Sequence, residues 1–188
     1  MIKINTPLDD GIIERLKAGD QVLINGMIYT ARDMAHKRLY DILENNEKLP
    51  FDLRGQIIYY MGPTPKKPDQ IIGSAGPTTS ERMDNFTLKL LDAGLKGMIG
   101  KGNRSKIVID SIIKNKAIYF VAIGGAAALI SKSIKSSRII CYEDLATEAI
   151  MQLVVEDFFA IVAIDSFGNN LYDIGPKKYE KTQIYKNI

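Results

Sequence analysis

Short β-rich runs alternate along this chain with segments of helical spacing, and glycine or proline separates many of them. Residues 21–29 (QVLINGMIY) predict a strand with Gly26 as its weak point, and 32–43 (RDMAHKRLYDIL) a helix with Leu39, Ile42 and Leu43 on one side. Residues 56–61 predict a strand halted by Gly62 and Pro63. Residues 71–75 predict another, turning through Gly76-Pro77 into a helix that carries Met83, Phe86, Leu90 and Leu91. Residues 97–100 form a short apolar piece, 107–113 a helix resting on Ile109, Ile112 and Ile113, and 117–123 the plainest strand. After Gly124-Gly125, residues 126–130 begin a helix whose small side chains permit close packing. Residues 138–142 and 159–165 read as strands around a helix near 148–154, with Gly168-Asn169-Asn170 as a turn. No repeat of solenoid length stands out. The pattern predicts a single α/β domain over residues 1–188, a mixed sheet flanked by helices, with a tail after about residue 176.

Composition narrows what such a domain can do. With 188 residues, 46% of them hydrophobic, one sizeable core is the default. A net charge of +3, with basic residues not interleaved with aromatics, disfavours nucleic acid or an anionic membrane as partner, so anion recognition must be local. The one cysteine, Cys141, cannot form an intramolecular disulfide, a cysteine-rich zinc site or a thiolate-bound cluster by itself. His36 is the sole histidine and lacks an acid–histidine pair at ligand spacing, so no metal site is expected on this chain. There is neither a basic-then-apolar leader nor a run of ~18 apolar residues. Together these features predict a soluble, cytoplasmic protein.

Three segments carry candidate chemistry. In 76–84 (GPTTSERMD), three hydroxyl residues, Thr78, Thr79 and Ser80, open a helix, where free N–H groups and the positive dipole end favour an anion. Arg82 adds a guanidinium fork suited to a carboxylate. Thr78 and Glu81 also fit a capping box, which needs no ligand. In Gly100-Lys101-Gly102 the backbone can approach a small ligand closely while the ammonium points at it, although a solvated turn lysine is the commoner outcome. This is not a P-loop, since Leu95 stands where that motif needs its first glycine, and Gly124-Gly125-Ala126 lacks dinucleotide-binding spacing. In 32–38 (RDMAHKR), Arg32 and His36 lie one helical turn apart and can share an anion, against the commoner reading of a solvated charged face.

In this order and spacing, the TPL and AGD near the N-terminus, RDMAHKRL, GPTTSERMD, IGKGN, GGAAAL and DSFGNNLYDIGP resemble the class I (iron–sulfur) fumarases and the related tartrate dehydratases. The likeness covers the C-terminal half of the fused enzymes, or the separate β subunit of two-chain versions. It implies a swivelling β/β/α domain that joins a fumarase α subunit in a hetero-oligomer. In that family the [4Fe–4S] cluster sits on the α subunit, held by three cysteines, with one iron open as a Lewis acid. By the same resemblance Arg32, Thr78, Arg82 and Lys101 face the fumarate or malate dicarboxylate. Thr78 exchanges the C3 proton with help from a partner aspartate, and Lys101 and Arg82 stabilise the aci-carboxylate intermediate. His36, Thr79 and Asp84 match motif positions and are read as supporting residues. The RMD ending of the second motif and the AHKR form of the first resemble fumarases more than tartrate dehydratase β subunits. The alternatives are that β subunit and a stand-alone dicarboxylate-binding module without catalysis.

Overall fold

The structure, a computed structural model, describes residues 1–123 and 125–179. Five strands pair in parallel in chain order: β1 (Ile2–Asn5), β2 (Gln21–Thr30), β3 (Ile57–Tyr59), β4 (Gly97–Gly100) and β5 (Ile118–Val121). The long β7 (Ile150–Ile164) runs antiparallel to β2, to β5 and to the edge strand β6 (Ile134–Cys141). Because β7 reaches both β5 and β2, the strands β2, β3, β4, β5 and β7 form a closed circuit of pairings. The helices are α1 (Asp10–Arg15), α2 (Asp33–Glu44), α3 (Asp84–Asp92), α4 (Lys106–Asn115), α5 (Ala127–Ser133) and α6 (Leu171–Tyr179). The chain is therefore a single α/β domain with a mixed sheet flanked by helices, as the alternation predicts.

Strand periodicity sorts side chains into two cores. Ile57, Tyr59 and Met61 turn to the face shared with Ile99, Ile118, Phe120 and Phe158. Their neighbours Ile58 and Tyr60 turn to the other face, where Met98, Tyr119 and the buried sides of α2, α3 and α4 collect. A strand buried on both faces reads as an unbroken apolar run, which is how 56–61 reads in the sequence. The helix expected near 148–154 is overturned, because the stretch enters the strand β7. Ile150 and Leu153, three apart, mimic helical spacing, yet they lie on opposite faces of β7, one in each core. The strand expected at 71–75 does not form either. There Thr64 N–H donates to Ser74 O (3.2 Å) and Ser74 N–H to Thr64 Oγ1 (2.9 Å), so the loop closes on itself. Gly73 permits that approach, since a Cβ on it would lie 2.0 Å from Thr64 O. β1 and α1 carry no periodicity long enough to announce them. α4 buries Val108, Ser111 and Ile112, a face rotated from the one expected, and leaves Ile113 exposed. α6 carries the chain past Pro176, and both Gly124 and the remainder of the expected tail lie outside the described residues.

Two buried polar groups fix where the loops sit. Arg104, between β4 and α4, has no exposed side-chain surface; its Nε donates to Asp84 Oδ1 (2.7 Å), its Nη groups to Tyr60 Oη (3.1 Å) and Thr87 Oγ1 (2.7 Å). Asp84 Oδ2 accepts Ser105 N–H at 2.7 Å, so one carboxylate ties the start of α3 to the start of α4. His36 on α2 is fully buried, its ring edge-on to Tyr60 (5.0 Å between centroids). Its Nδ1 lies 3.0 Å from Arg32 O, a distance that a donated Nδ1–H satisfies. Burial pulls the His36 pKa down to about 4.

Asp84→Asn leaves Arg104 buried without its counter-ion and is expected to cost about 3–5 kcal/mol of stability, read from the denaturant midpoint. His36 supplies a pH dependence. Its pKa is about 4 in the fold against 6.5 in the unfolded chain. The unfolded state therefore takes up the proton first as pH falls, and stability declines from about pH 6.5 down to 4, by about 3 kcal/mol in total. Thermal unfolding across that range should show a shallower acid limb for His36→Asn, which keeps a donor near the Nδ1 position and cannot take up the proton.

Candidate functional site

In α/β folds, open or closed, ligands commonly bind at the carboxyl ends of the parallel strands, where the backbone turns outward into loops. Three of the candidate segments meet at that edge. Arg32 follows β2 and caps α2; Tyr60 and Gly62 follow β3; Lys101 follows β4. The loop with Thr78 crosses the edge and is sewn to two strand ends. Thr78 N–H donates to Tyr60 O (2.7 Å), Lys101 N–H to Thr78 O (3.2 Å) and Ser80 N–H to Lys101 O (2.9 Å), a short parallel bridge between Thr79 and Lys101. Thr78 and Lys101 are thus neighbours by backbone pairing, which sequence spacing of 23 residues does not reveal.

That pairing revises the local expectation. The Thr78/Glu81 capping box is absent: the first turn is a 3-10 segment at Ser80–Met83, entered through Thr79, whose side chain makes no capping bond. The N–H groups of Thr78 and Ser80 are already taken by the carbonyls of Tyr60 and Lys101, just past the ends of β3 and β4. Ser80 is fully buried, and its hydroxyl meets Tyr119 Oη at 2.8 Å, while Tyr119 donates to Gly102 O at 2.7 Å. Gly100 is required by this packing, because a Cβ there would lie 1.9 Å from Ser80 Oγ. Gly102, at φ +81°, turns the backbone away directly after Lys101. Lys101 is exposed and has no ion-pair partner among the described residues.

The second half of the site is a chain of ions. Arg82 Nε donates to Asp33 Oδ1 at 2.8 Å, Asp33 Oδ2 lies 3.7 Å from Arg32 Nη2, and Arg32 Nη2 lies 3.6 Å from Glu148 Oε1. Glu148 Oε2 accepts Met34 N–H (2.9 Å), capping α2 from the segment before β7. Gly62 makes room for Arg32; a Cβ on it would lie 3.0 Å from Arg32 Nη1. His36 sits beneath Arg32 rather than beside it. It is neutral at ordinary pH, so it is neither a solvated surface group nor a second cation for an anion.

Tyr60 joins the two halves through its ring against His36, its carbonyl on Thr78 and its hydroxyl on Arg104. Asp84, expected as a supporting residue, acts through Arg104, and Thr79 stands exposed at the bridge to Lys101. Sequence reasoning missed Arg104, Tyr60 and Glu148. Arg104 adjoins the lysine turn, which is the only local signal for it, and Glu148 becomes legible only with tertiary structure. A cavity of about 450 Å³ lies elsewhere, between Pro63, Ile72, Ile139 and Met151, and includes none of these groups.

Cys141 is partly buried on β6 and its thiol is pushed up to about 11 by burial. One thiol does not fit a [4Fe–4S] cluster, and no group of three or more His, Cys, Asp or Glu among the described residues is arranged to hold a metal ion. No helix among them is long and apolar enough to cross a membrane.

A family model described as Fumarase C-terminus matches residues 1–175. A Methanocaldococcus jannaschii protein provisionally named L(+)-tartrate dehydratase subunit beta is 40% identical over 176 residues, 90% of this chain and 90% of its own length. The aerobic class I fumarate hydratase of Escherichia coli K12 is 35% identical over 175 residues, covering 91% of this chain and 32% of that protein. Fumarate hydratase 2 of Leishmania major is 37% identical over 162 residues, covering 85% of this chain and 28% of that protein. This chain therefore spans about a third of the fumarate hydratases it matches and nearly the whole of the M. jannaschii protein. With a family model matched over residues 1–175 and relatives above 30% identity across most of its length, the chain belongs to the fumarase C-terminal family.

Proposed function

We propose that this chain, over residues 1–188, is the β subunit of a class I fumarate hydratase, a cytoplasmic hydro-lyase that interconverts fumarate and (S)-malate. On this reading it works in a hetero-oligomer with an α subunit that carries the [4Fe–4S] cluster. The observation that carries it is the gathering of Thr78, Lys101, Arg32 and Arg82 at one edge of a chain in this family. The two buried faces of the sheet, one of them under helices, suit the swivelling β/β/α domain expected from the resemblance.

Arg32, Arg82 and Lys101 bind the two carboxylates by charge-assisted hydrogen bonds. The cluster, when bound by the partner, supplies Lewis-acid chemistry. Anti addition of water puts hydroxide on C2 and a proton on C3, and Thr78 Oγ1 is the group assigned to that proton. A threonine hydroxyl is too weak an acid and base unaided near neutral pH, so the reading includes an aspartate of the partner beside it. Arg82 and Lys101 stabilise the charge that develops on the aci-carboxylate. Thr79 borders the site, while His36 and Asp84 hold it in shape from below.

The M. jannaschii relative favours a second reading, the β subunit of L(+)-tartrate dehydratase, because it matches this chain from end to end. A stand-alone dicarboxylate-binding module is the non-catalytic alternative. Anaerobic co-expression with the α subunit, assayed on fumarate, malate and tartrate side by side, separates the three. The expected outcome is a brown, oxygen-sensitive complex active on fumarate and malate; activity on tartrate alone supports the second reading, and a colourless monomer that binds malate unaided supports the module. In the active complex Thr78→Ala should lower kcat by about 10²-fold or more, with partial recovery in Thr78→Ser. A kcat near wild type in Thr78→Ala removes Thr78 from proton transfer.

A further inference from the structure

We propose that Asp33 is a positioning residue that presents Arg32 and Arg82 as a matched pair to a single carboxylate-bearing ligand. The proposal rests on the dicarboxylate reading above and deepens it. Asp33 is the first residue of α2, its backbone fixed by the helix. The Met34 N–H of this first turn is taken by Glu148, not by Asp33. Asp33 instead turns its carboxylate across the edge of the sheet. Oδ1 accepts Arg82 Nε at 2.8 Å, and Oδ2, a buried atom with no hydrogen bond, lies 3.7 Å from Arg32 Nη2.

The partner atom on Arg82 decides what this contact can do. Asp33 engages Nε, on one edge of the guanidinium, and makes no hydrogen bond to either Nη of this half-exposed side chain (52%), so the Nη groups remain to take a carboxylate. A half-exposed ion pair contributes little to stability, typically under about 1 kcal/mol. Its effect is to restrict a long side chain that would otherwise lose rotamer freedom on meeting the ligand. Glu148 approaches the same Arg32 Nη2 that faces Asp33, at 3.6 Å, and the buried Arg32 Nε has no hydrogen-bond partner. Asp33 is the acid that contacts both arginines. Of the buried side-chain atoms without a hydrogen bond among the described residues, half lie in Arg32, Asp33 and His36, so the polar groups left incomplete gather at this helix start.

The test is a double-mutant cycle in the two-subunit enzyme with a direct reading of the contact. Asp33→Ala should raise KM for fumarate about tenfold or more with a smaller fall in kcat, because carboxylate binding in the ground state suffers along with part of the Arg82 stabilisation of the aci-carboxylate. Asp33→Asn, which keeps an acceptor and loses the charge, should fall between. In an Arg82→Ala background, Asp33→Ala should cost clearly less than it does in the wild-type enzyme, since one of the two groups it positions is gone. In the full chain the Arg82 Nε–H proton should be protected from exchange, followed by ¹⁵N–¹H spectra, and lose that protection in Asp33→Ala. An unchanged KM in Asp33→Ala, or a penalty that multiplies fully with that of Arg82→Ala, overturns the proposal. If Asp33→Ala does not fold, Asp33→Asn runs the same cycle. A wild-type complex inactive on fumarate, malate and tartrate instead overturns the dicarboxylate reading, and this role with it, whatever the exchange measurement gives.

Discussion

The geometry of this edge depends on one charge pair with almost no access to water. Arg104 and Asp84 are removed from solvent, a loss that only mutual attraction and complete hydrogen bonding offset. Their remaining bonds do that offsetting and set the layout. Thr87 and Tyr60 complete the guanidinium, and Ser105 N–H completes the carboxylate. Each of those bonds belongs to a different element: α3, the end of β3, and the entry to α4. The loop from Lys101 to Arg104 is thereby referenced to the helix that follows Thr78, through the interior and not across the surface.

Above this base the site has two kinds of precision. Thr78 and Lys101 are located by main-chain hydrogen bonds, so their Cα positions are as fixed as the strands beneath them. Arg32 and Arg82 are located by carboxylates on the ends of side chains, Arg32 through long contacts of 3.6 and 3.7 Å and Arg82 through Nε, and both keep more freedom to adjust than a backbone-paired residue. For a small ligand with two carboxylates this division is useful: a proton donor must be held within a narrow geometry, whereas charge recognition tolerates small displacements. Tyr60 is the residue common to both, because its carbonyl holds the rigid half and its ring packs on the histidine beneath the adjustable one.

Much of this was visible in the residues, and the failures have identifiable causes. Arg32, Thr78, Arg82 and Lys101 stand out because each adjoins a strand end or a turn, where apolar patterning stops and a charge or hydroxyl intrudes. What spacing cannot reveal is which charges are inside. Arg104 reads as one more solvated basic residue after Asn103, and only its complete burial makes it the base of the site. His36 is the converse, a polar residue on an outwardly charged helix that turns out to face the core. The helix wrongly expected near 148–154 failed for a different reason: Ile150 and Leu153, three apart, match a helical period although each enters a different core. The capping box failed because strand carbonyls captured N–H groups that a free helix start would have presented.

Charge accounting at the edge bears on whether this chain works alone. Arg32, Arg82 and Lys101 bring three positive charges, Asp33 and Glu148 remove two, and His36 is held neutral, while Asp84 and Arg104 cancel each other. One net positive charge remains, on a face open enough that Lys101 stays in contact with water. A dicarboxylate carries two negative charges, and in so exposed a setting a single excess cation attracts it weakly, since water screens the interaction. Two changes strengthen that attraction: another positive group brought to the same ligand, and exclusion of water from the face. On the proposed reading, a partner surface closing over Thr78 and Lys101 excludes that water, so the weak attraction belongs to the isolated chain and affinity for the substrate rises with the partner in place.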